Sequence, residues 1–152
     1  TLGKGLGGGV PLAALLARES VAAAFAHGDQ GGTYCGNPLM AAVGSAVLAT
    51  VSATDFLAGV RQRARHLEAQ LDALIARHRL TGRRGRGLLQ ALDLGRPIGA
   101  QLVDQARDLA PEGLLLNSPR PHLLRLMPAL NVGLDEIDRM SDLLDALLKA
   151  QP

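Results

Sequence analysis

One lysine lies in a run of glycines at the start of the chain, and it is the residue best suited to covalent chemistry. Lys4 stands among five glycines in the nine residues from Thr1 to Gly9. Partial burial lowers the pKa of a lysine amine, and the neutral amine can then condense with a carbonyl group. The residues alone also permit an exposed lysine in a flexible loop. A phosphate-binding P-loop is excluded, because Gly5 follows Lys4 where that motif needs Ser or Thr.

A second glycine-rich stretch, residues 28–36, precedes a predicted helix start. Asn37 can accept hydrogen bonds from the first free N–H groups of a helix, and Pro38 suits the first helical position. Thr33 and its neighbouring backbone N–H groups would then lie near a helix N-terminus, which favours an anion. An ordinary capped turn explains the same residues equally well.

A third candidate is Arg125, which precedes Met127 and Pro128 at the end of a predicted strand. The planar guanidinium of arginine binds a carboxylate through two parallel hydrogen bonds, which lysine cannot do. The alternative is a structural ion pair within the same domain. The four histidines show no spacing typical of metal ligands, so we predict no metal site.

These three segments, in this order, resemble the class-III pyridoxal-phosphate-dependent aminotransferases. The resembling residues are 1–12, 28–39 and 124–130, and together they extend over nearly the whole chain. The resemblance implies an α/β fold, the C-terminal part of a fold-type-I aminotransferase, with pyridoxal phosphate as cofactor. It implies that Lys4 holds the cofactor and transfers a proton, that Thr33 binds the cofactor phosphate of the other subunit in a homodimer, and that Arg125 binds a substrate carboxylate.

The resemblance also implies a reaction, and it is greatest to the family members that act on N-acetylornithine. They move its terminal amino group to 2-oxoglutarate in arginine biosynthesis. Similar enzymes act on ornithine, succinylornithine, succinyldiaminopimelate or 4-aminobutyrate. Family members are much longer, and their phosphate-cradling turn, stacking aromatic and ring-pairing Asp precede the lysine. We therefore expect this chain to be a C-terminal portion that is inactive in isolation.

The composition narrows the class of protein. The chain has 152 residues, of which 47% are hydrophobic and 2% aromatic, enough for a packed core built mainly from aliphatic side chains. Its single cysteine, Cys35, excludes an internal disulfide and fits a reducing compartment. The resemblance implies that Cys35 is a spacer rather than a nucleophile. No signal peptide or bilayer-spanning run is visible, and the net charge is only +2. We expect a cytoplasmic protein with small-molecule substrates and neither membrane nor nucleic acid as partner.

The periodicity of apolar residues predicts the secondary structure. An apolar stretch at residues 10–16 permits strand or helix, and the resemblance favours a strand. A buried stripe is expected on the second long helix, at Val60, Ala64, Leu67, Leu71 and Leu74. The expected helices cover residues 18–26, 38–49, 55–78, 98–109 and 134–149, and the expected strands cover residues 88–94, 114–117 and 122–126.

The predicted elements and the resemblance together imply three parts. Residues 1–54 would carry the lysine and a dimer interface of the large domain, residues 55–79 a bridging helix, and residues 80–152 a small α/β sandwich with helices on one face of a sheet. A different interpretation is a non-catalytic helical interaction module, in which Lys4 and Arg125 would be dispensable. A nucleic-acid-binding module is disfavoured, since acids interleave the helical arginines and no aromatic platform exists.

Overall fold

The computed structural model describes residues 1–151, which form two compact units. The first unit is Thr1–Leu57 and the second begins at Ala58. The first contains a short 3-10 helix, Lys4–Gly7, and the helices α1, Glu19–Ala22, and α2, Pro38–Ser52; helix α3, Thr54–His78, begins in it and continues into the second unit.

In the first unit, helix α2 starts as the sequence predicts. The side chain of Asn37 accepts hydrogen bonds from the backbone N–H groups of Leu39 and Met40 at 3.0 and 3.2 Å, and Pro38 is the first helical residue. Helix α2 contains small residues that allow close packing. A side chain at the buried Gly44 would collide with Leu12. Glycine therefore lets residues 1–12, which carry Lys4 and are called the lysine segment below, lie directly against α2.

Two expectations for the first unit are wrong. Residues 10–16 do not form a strand; within residues 1–151 their backbone pairs with Leu2 at Ala14 and with Gly8 at Val10, as isolated bridges. A strand needs a continuous partner for its backbone groups, and two isolated bridges do not supply one. The helix expected at residues 18–26 is shortened to α1, which buries none of its side chains. Without an apolar face packed on a neighbour, a longer helix gains too little to form.

The second unit contains a four-stranded antiparallel sheet and two further helices. The strands are β1, Gly82–Arg86, β2, Leu89–Asp93, β3, Asn117–Arg120, and β4, Leu123–Leu126, and the helices are α4, Gly99–Arg107, and α5, Leu134–Lys149. The strands have the spatial order β1–β2–β4–β3, so β1 and β3 are the edges of the sheet. Strands β1 and β2 form a hairpin, and β4 pairs with β2 in the centre of the sheet.

One face of this sheet carries the core of the second unit. Leu92 and Leu124 are neighbours on β2 and β4, and both are fully buried against leucines of α3, α4 and α5. The stripe predicted for α3 is buried at four of its five positions, and Val60 lies partly buried beside it. Helices packed on one face of an antiparallel sheet confirm the predicted small α/β sandwich.

Two strand assignments differ from the prediction. Strand β1 was not expected, because the sequence Gly-Arg-Arg-Gly-Arg has no hydrophobic alternation. The strand expected at residues 114–117 is wrong, since β3 occupies Asn117–Arg120 instead. Pro119 within it is tolerated because β3 is an edge strand, and the register of its pairing with β4 is irregular there.

Polar side chains join α3 to α5. The Oδ1 of Asp138 accepts one hydrogen bond of 2.6 Å from the side chain of Gln70, and it lies 2.6 Å from the Nε2 of His66. Asp145 is buried and contacts His78. Two of the four histidines therefore belong to helix–helix contacts. Among the described helices no single one is long and apolar enough to cross a membrane; by length and composition, α2 and α3 would meet that test only together, as a bent pair.

Candidate functional site

Lys4 has an unusual backbone conformation. Its φ angle is +52°, in the left-handed region that L residues with a side chain rarely adopt. Such strain persists only where the surroundings hold it, and it is concentrated at functional sites. The side chain is exposed, and it forms no hydrogen bond or ion pair with any other residue in the described part of the chain. Its amine is therefore free to react, although residues 1–151 do not bury it.

The lysine segment is held in place by its own backbone and by α2. Leu2 and Ala14 exchange two backbone hydrogen bonds, of 2.7 and 3.0 Å, which close the segment into a loop. Gly8 follows the last residue of the 3-10 helix and caps it, with a φ angle of +58°. The backbone of Gly8 lies against Val47 of α2. A side chain at Gly8 would be strained and would clash with that valine. The glycines therefore let the loop that carries Lys4 approach the helix closely.

Thr33 lies in the turn before α2. It is exposed and lines a cavity of about 410 Å³ together with residues including Gly32, Tyr34 and Asn37. The carbonyl of Asn37's side chain already occupies the first free N–H groups of α2, so an anion here would depend on the Thr33 hydroxyl and the turn backbone. Cys35 is an exposed free thiol in the same turn.

Arg125 lies on β4 between Leu124 and Leu126, whose side chains are buried in the core. It lines a cavity of about 420 Å³ whose walls are mostly apolar, including Leu115, Met127 and Met140. Within residues 1–151 it forms no ion pair, so the structural ion pair that we considered is not formed. Its guanidinium is exposed and can receive a carboxylate.

The three predicted site residues fall in different places. Lys4 and Thr33 belong to the first unit, where Thr33 lines one cavity, and Arg125 belongs to the second unit, where it lines another.

The sequence matches the class-III aminotransferase family over residues 1–148. The chain belongs to the class-III aminotransferases. The acetylornithine aminotransferase of Ralstonia nicotianae is 60% identical to it over 150 residues, which are 99% of this chain and 37% of that protein. The chain thus spans about 37% of the length of this curated relative.

Solved structures of the family have the same fold. The acetylornithine aminotransferase of Elizabethkingia anophelis matches with a TM-score of 0.85 and 25% identity, over 98% of this chain and 38% of that one. The ornithine delta-aminotransferase of Plasmodium falciparum matches with a TM-score of 0.82 and 26% identity, over 97% of this chain and 38% of that one. The predicted fold class, part of a fold-type-I aminotransferase, is confirmed.

Class-III aminotransferases use pyridoxal phosphate, and the described residues suit that cofactor as far as they extend. An aldehyde needs an unpaired amine, and Lys4 has one on a strained backbone. A phosphate needs hydrogen-bond donors, and the exposed hydroxyl of Thr33 has no partner among residues 1–151.

Proposed function

We propose that this chain is the lysine-bearing part of an aminotransferase that moves the terminal amino group of N-acetylornithine to 2-oxoglutarate. The observation that carries the proposal is Lys4, an exposed and unpaired amine on a left-handed backbone inside the family's matching segment. The 60% identity to an acetylornithine aminotransferase supports this amino donor and a place in arginine biosynthesis. Ornithine is the second candidate, because the likeness in fold to an ornithine delta-aminotransferase is nearly as great.

Each site residue has a distinct task in this proposal. When bound, pyridoxal phosphate withdraws electrons from the substrate carbon next to the reacting nitrogen and so makes its proton removable. The Nζ of Lys4 would hold the cofactor until the substrate amine displaces it, and as a free amine it would then move that proton from the substrate carbon to the cofactor. The hydroxyl of Thr33 donates a hydrogen bond to the cofactor phosphate of the other subunit in a homodimer. The guanidinium of Arg125 binds a substrate carboxylate bidentately.

The proposed active protein is a cytoplasmic homodimer in which this chain supplies only part of each site. The lysine lies exposed, and a reactive lysine works best in a site that excludes water. The chain also spans only about 37% of its curated relative. We therefore propose that the 152 residues by themselves do not catalyse transamination. Steady transamination of N-acetylornithine by the purified chain would contradict this part of the proposal.

The chain offers a sharp test of Lys4, because Lys4 and Lys149 are its two lysines. The purified chain is incubated with pyridoxal phosphate, reduced with borohydride, and analysed by intact mass and peptide mapping. We expect one main adduct, at Lys4, because the amine of Lys149 lies 2.6 Å from the Asp145 carboxylate and is held by it. Lys4→Arg removes the adduct, while the matched control Lys149→Arg retains it.

A different labelling pattern would contradict the proposed role of Lys4. Equal labelling of Lys4, Lys149 and the N-terminal amine would mean that Lys4 reacts only as an ordinary surface amine. Labelling that persists in Lys4→Arg would have the same meaning.

A further inference from the structure

Strand β1 is a free edge of the sheet in the second unit. It pairs with β2 on one side, and in the described part of the chain no strand lies on its other side. Its backbone N–H and C=O groups that point away from β2 therefore have no strand to pair with. Gly82 and Gly85 carry no side chain that could cover this edge, and residues 84–86 are exposed. A free edge of this kind can pair with another extended backbone.

The segment around this edge is strongly basic. Residues 73–92 contain five arginines and no aspartate or glutamate. Two of the arginines are held by acidic side chains of α3 and α5. The other three are exposed and form no ion pair within residues 1–151. These three are Arg79, Arg84 and Arg86.

The alternation of side chains along β1 separates its paired arginine from its unpaired ones. Arg83 points to the helices, where its Nε and one terminal nitrogen donate to Asp72 of α3 at 2.7 and 3.0 Å. Arg84 and Arg86 are two residues apart on the strand, so they share one face, which is the face opposite to that of Arg83. The chain thus supplies an acid to Arg83 and none to the two arginines on the other face.

Acidic side chains near β1 are already engaged. Asp93 is on the same face as Arg84, and its Oδ1 accepts a hydrogen bond of 3.0 Å from the backbone N–H of Gly95. On the helix side, Glu68 accepts one of 3.2 Å from the side chain of Gln90. A carboxylate from outside the chain can therefore reach an unpaired guanidinium without displacing an ion pair.

The charge of the edge selects among possible partners. A second copy of this chain would bring its own β1 arginines to the edge, and like charges on neighbouring strands repel. A nucleic acid is disfavoured, because residues 58–152 contain no Phe, Trp or Tyr on which bases could stack. An extended acidic peptide supplies what the edge lacks, namely backbone groups for hydrogen bonds and carboxylates for the guanidinium groups.

We propose that β1 is a docking site for an extended acidic segment of another protein, which adds to the four-stranded sheet as a further strand. The backbone of that segment pairs with the free edge of β1. Alternate side chains of the segment, Asp or Glu, lie on one face and pair with Arg84 and Arg86 across the strand spacing of about 4.8 Å. The inference does not depend on the proposed aminotransferase reaction, because it uses none of the residues assigned to that reaction.

The test is an NMR titration of the ¹⁵N-labelled 152-residue chain with synthetic peptides. The acidic probe is acetyl-Glu-Val-Glu-Val-Glu-amide, which has the length of β1 and places its carboxylates on one face. One control peptide has lysine in place of glutamate. Another keeps the glutamates but has every backbone nitrogen methylated, so it has the charge without the hydrogen-bond donors. Oligo(dT) is the nucleic-acid probe.

Two double variants of the chain are compared. Arg84→Gln/Arg86→Gln removes both charges from the face of β1. Arg61→Gln/Arg65→Gln is the matched control, because it removes two exposed arginines of α3 that form no ion pair within residues 1–151. The amide spectrum of each variant reports directly whether its fold is retained.

We expect the acidic peptide to bind saturably to the wild type, with the largest shifts at the amides of β1. Arg84→Gln/Arg86→Gln should weaken this binding about fivefold, as the loss of two exposed ion pairs predicts, and Arg61→Gln/Arg65→Gln should leave it unchanged. The lysine peptide and the methylated peptide should give no saturable shift.

Four results would overturn the proposal. The first is no saturable shift with the acidic peptide, and the second is an equal loss in the α3 variant, which would mean diffuse attraction by charge. The third is equal binding of the methylated peptide, because the backbone would then play no part. The fourth is tighter binding of oligo(dT) at β1, which would indicate a nucleic-acid surface. The peptide comparisons use the wild type, so they decide the question even if a variant does not fold.

Discussion

The carboxylate of Asp145 is a buried polar link between the C-terminal ends of α3 and α5, and its charge can be removed by Asp145→Asn. Asp145 is only 8% exposed. Its Oδ2 lies 2.6 Å from Lys149, and its Oδ1 lies 2.7 Å from His78 and 2.9 Å from Arg77. Asparagine has nearly the same shape, so the substitution tests the charge with little change in packing.

The size of the effect follows from the exposure of the three partners. The side chains of Lys149 and Arg77 are 62% and 56% exposed, so each contributes at most about 0.5 kcal/mol, as surface ion pairs do. His78 is 11% exposed, and its hydrogen bond contributes about 1 kcal/mol. We therefore expect Asp145→Asn to lower the free energy of unfolding by about 2 kcal/mol. For a domain the size of the second unit, this corresponds to a decrease in Tm of about 10 °C.

The assay is urea and thermal unfolding followed by circular dichroism. The matched control is Asp142→Asn, an exposed aspartate on the same helix with no partner among residues 1–151. We expect this control to change the stability by less than about 0.5 kcal/mol. If the two variants unfold within about 0.5 kcal/mol of each other, the reasoning about Asp145 is refuted.

The same substitution has a pH signature. Hydrogen bonds from Lys149 first, and from Arg77 second, hold the pKa of the Asp145 carboxyl well below its ordinary value of about 3.9. A carboxyl with a depressed folded pKa stabilises the protein above its unfolded pKa and loses that contribution as the pH falls toward the folded pKa. The wild type should therefore exceed Asp145→Asn in stability by the full amount above about pH 5, and by progressively less below about pH 4. A difference that grows on acidification would contradict this cause.

Two further predictions concern the core and the first unit. Leu124→Ala empties a fully buried position at the centre of the sheet, so it should cost about 2–5 kcal/mol in urea unfolding, whereas exposed Leu89→Ala should cost far less. Asn37→Ala removes the acceptor of the Leu39 and Met40 amides and should cost α2 about 1 kcal/mol, seen as about fivefold faster hydrogen exchange at those two amides. Unchanged exchange there would show that another group caps the helix.

Elements with strong local signals were predictable from the sequence. Helix α5 has the bounds expected from its apolar spacing, and Glu136 accepts from the Gly133 N–H at its start. The cap at Asn37 and the stripe on α3 were predictable for the same reason, because neighbours along a helix are neighbours in the sequence. Lys4, Thr33 and Arg125 were singled out by residue type and by family resemblance, and their roles stay predictions.

Elements that depend on a distant partner were not predictable. Strand β1 forms because β2 supplies hydrogen-bond partners to its backbone, although its own side chains give no signal. Residues 114–116 looked like a strand because they are apolar, yet the Leu114 N–H donates to Ala106 of α4. The strand lies just after them, at the sheet edge where Pro119 is tolerated.

From the sequence come the family, the choice of Lys4 as the candidate for covalent chemistry, and the long helices, since these depend on residue type and on spacing along the chain. From the tertiary structure come the left-handed backbone of Lys4, the burial of Asp145 between two helices, and the strand register that places Arg84 and Arg125 on one face of the sheet. Each of these depends on contacts between residues far apart in the chain, or on a loop closed against a helix. Strand register depends on such contacts, because a shift of β1 by one residue relative to β2 would turn Arg84 to the other face of the sheet.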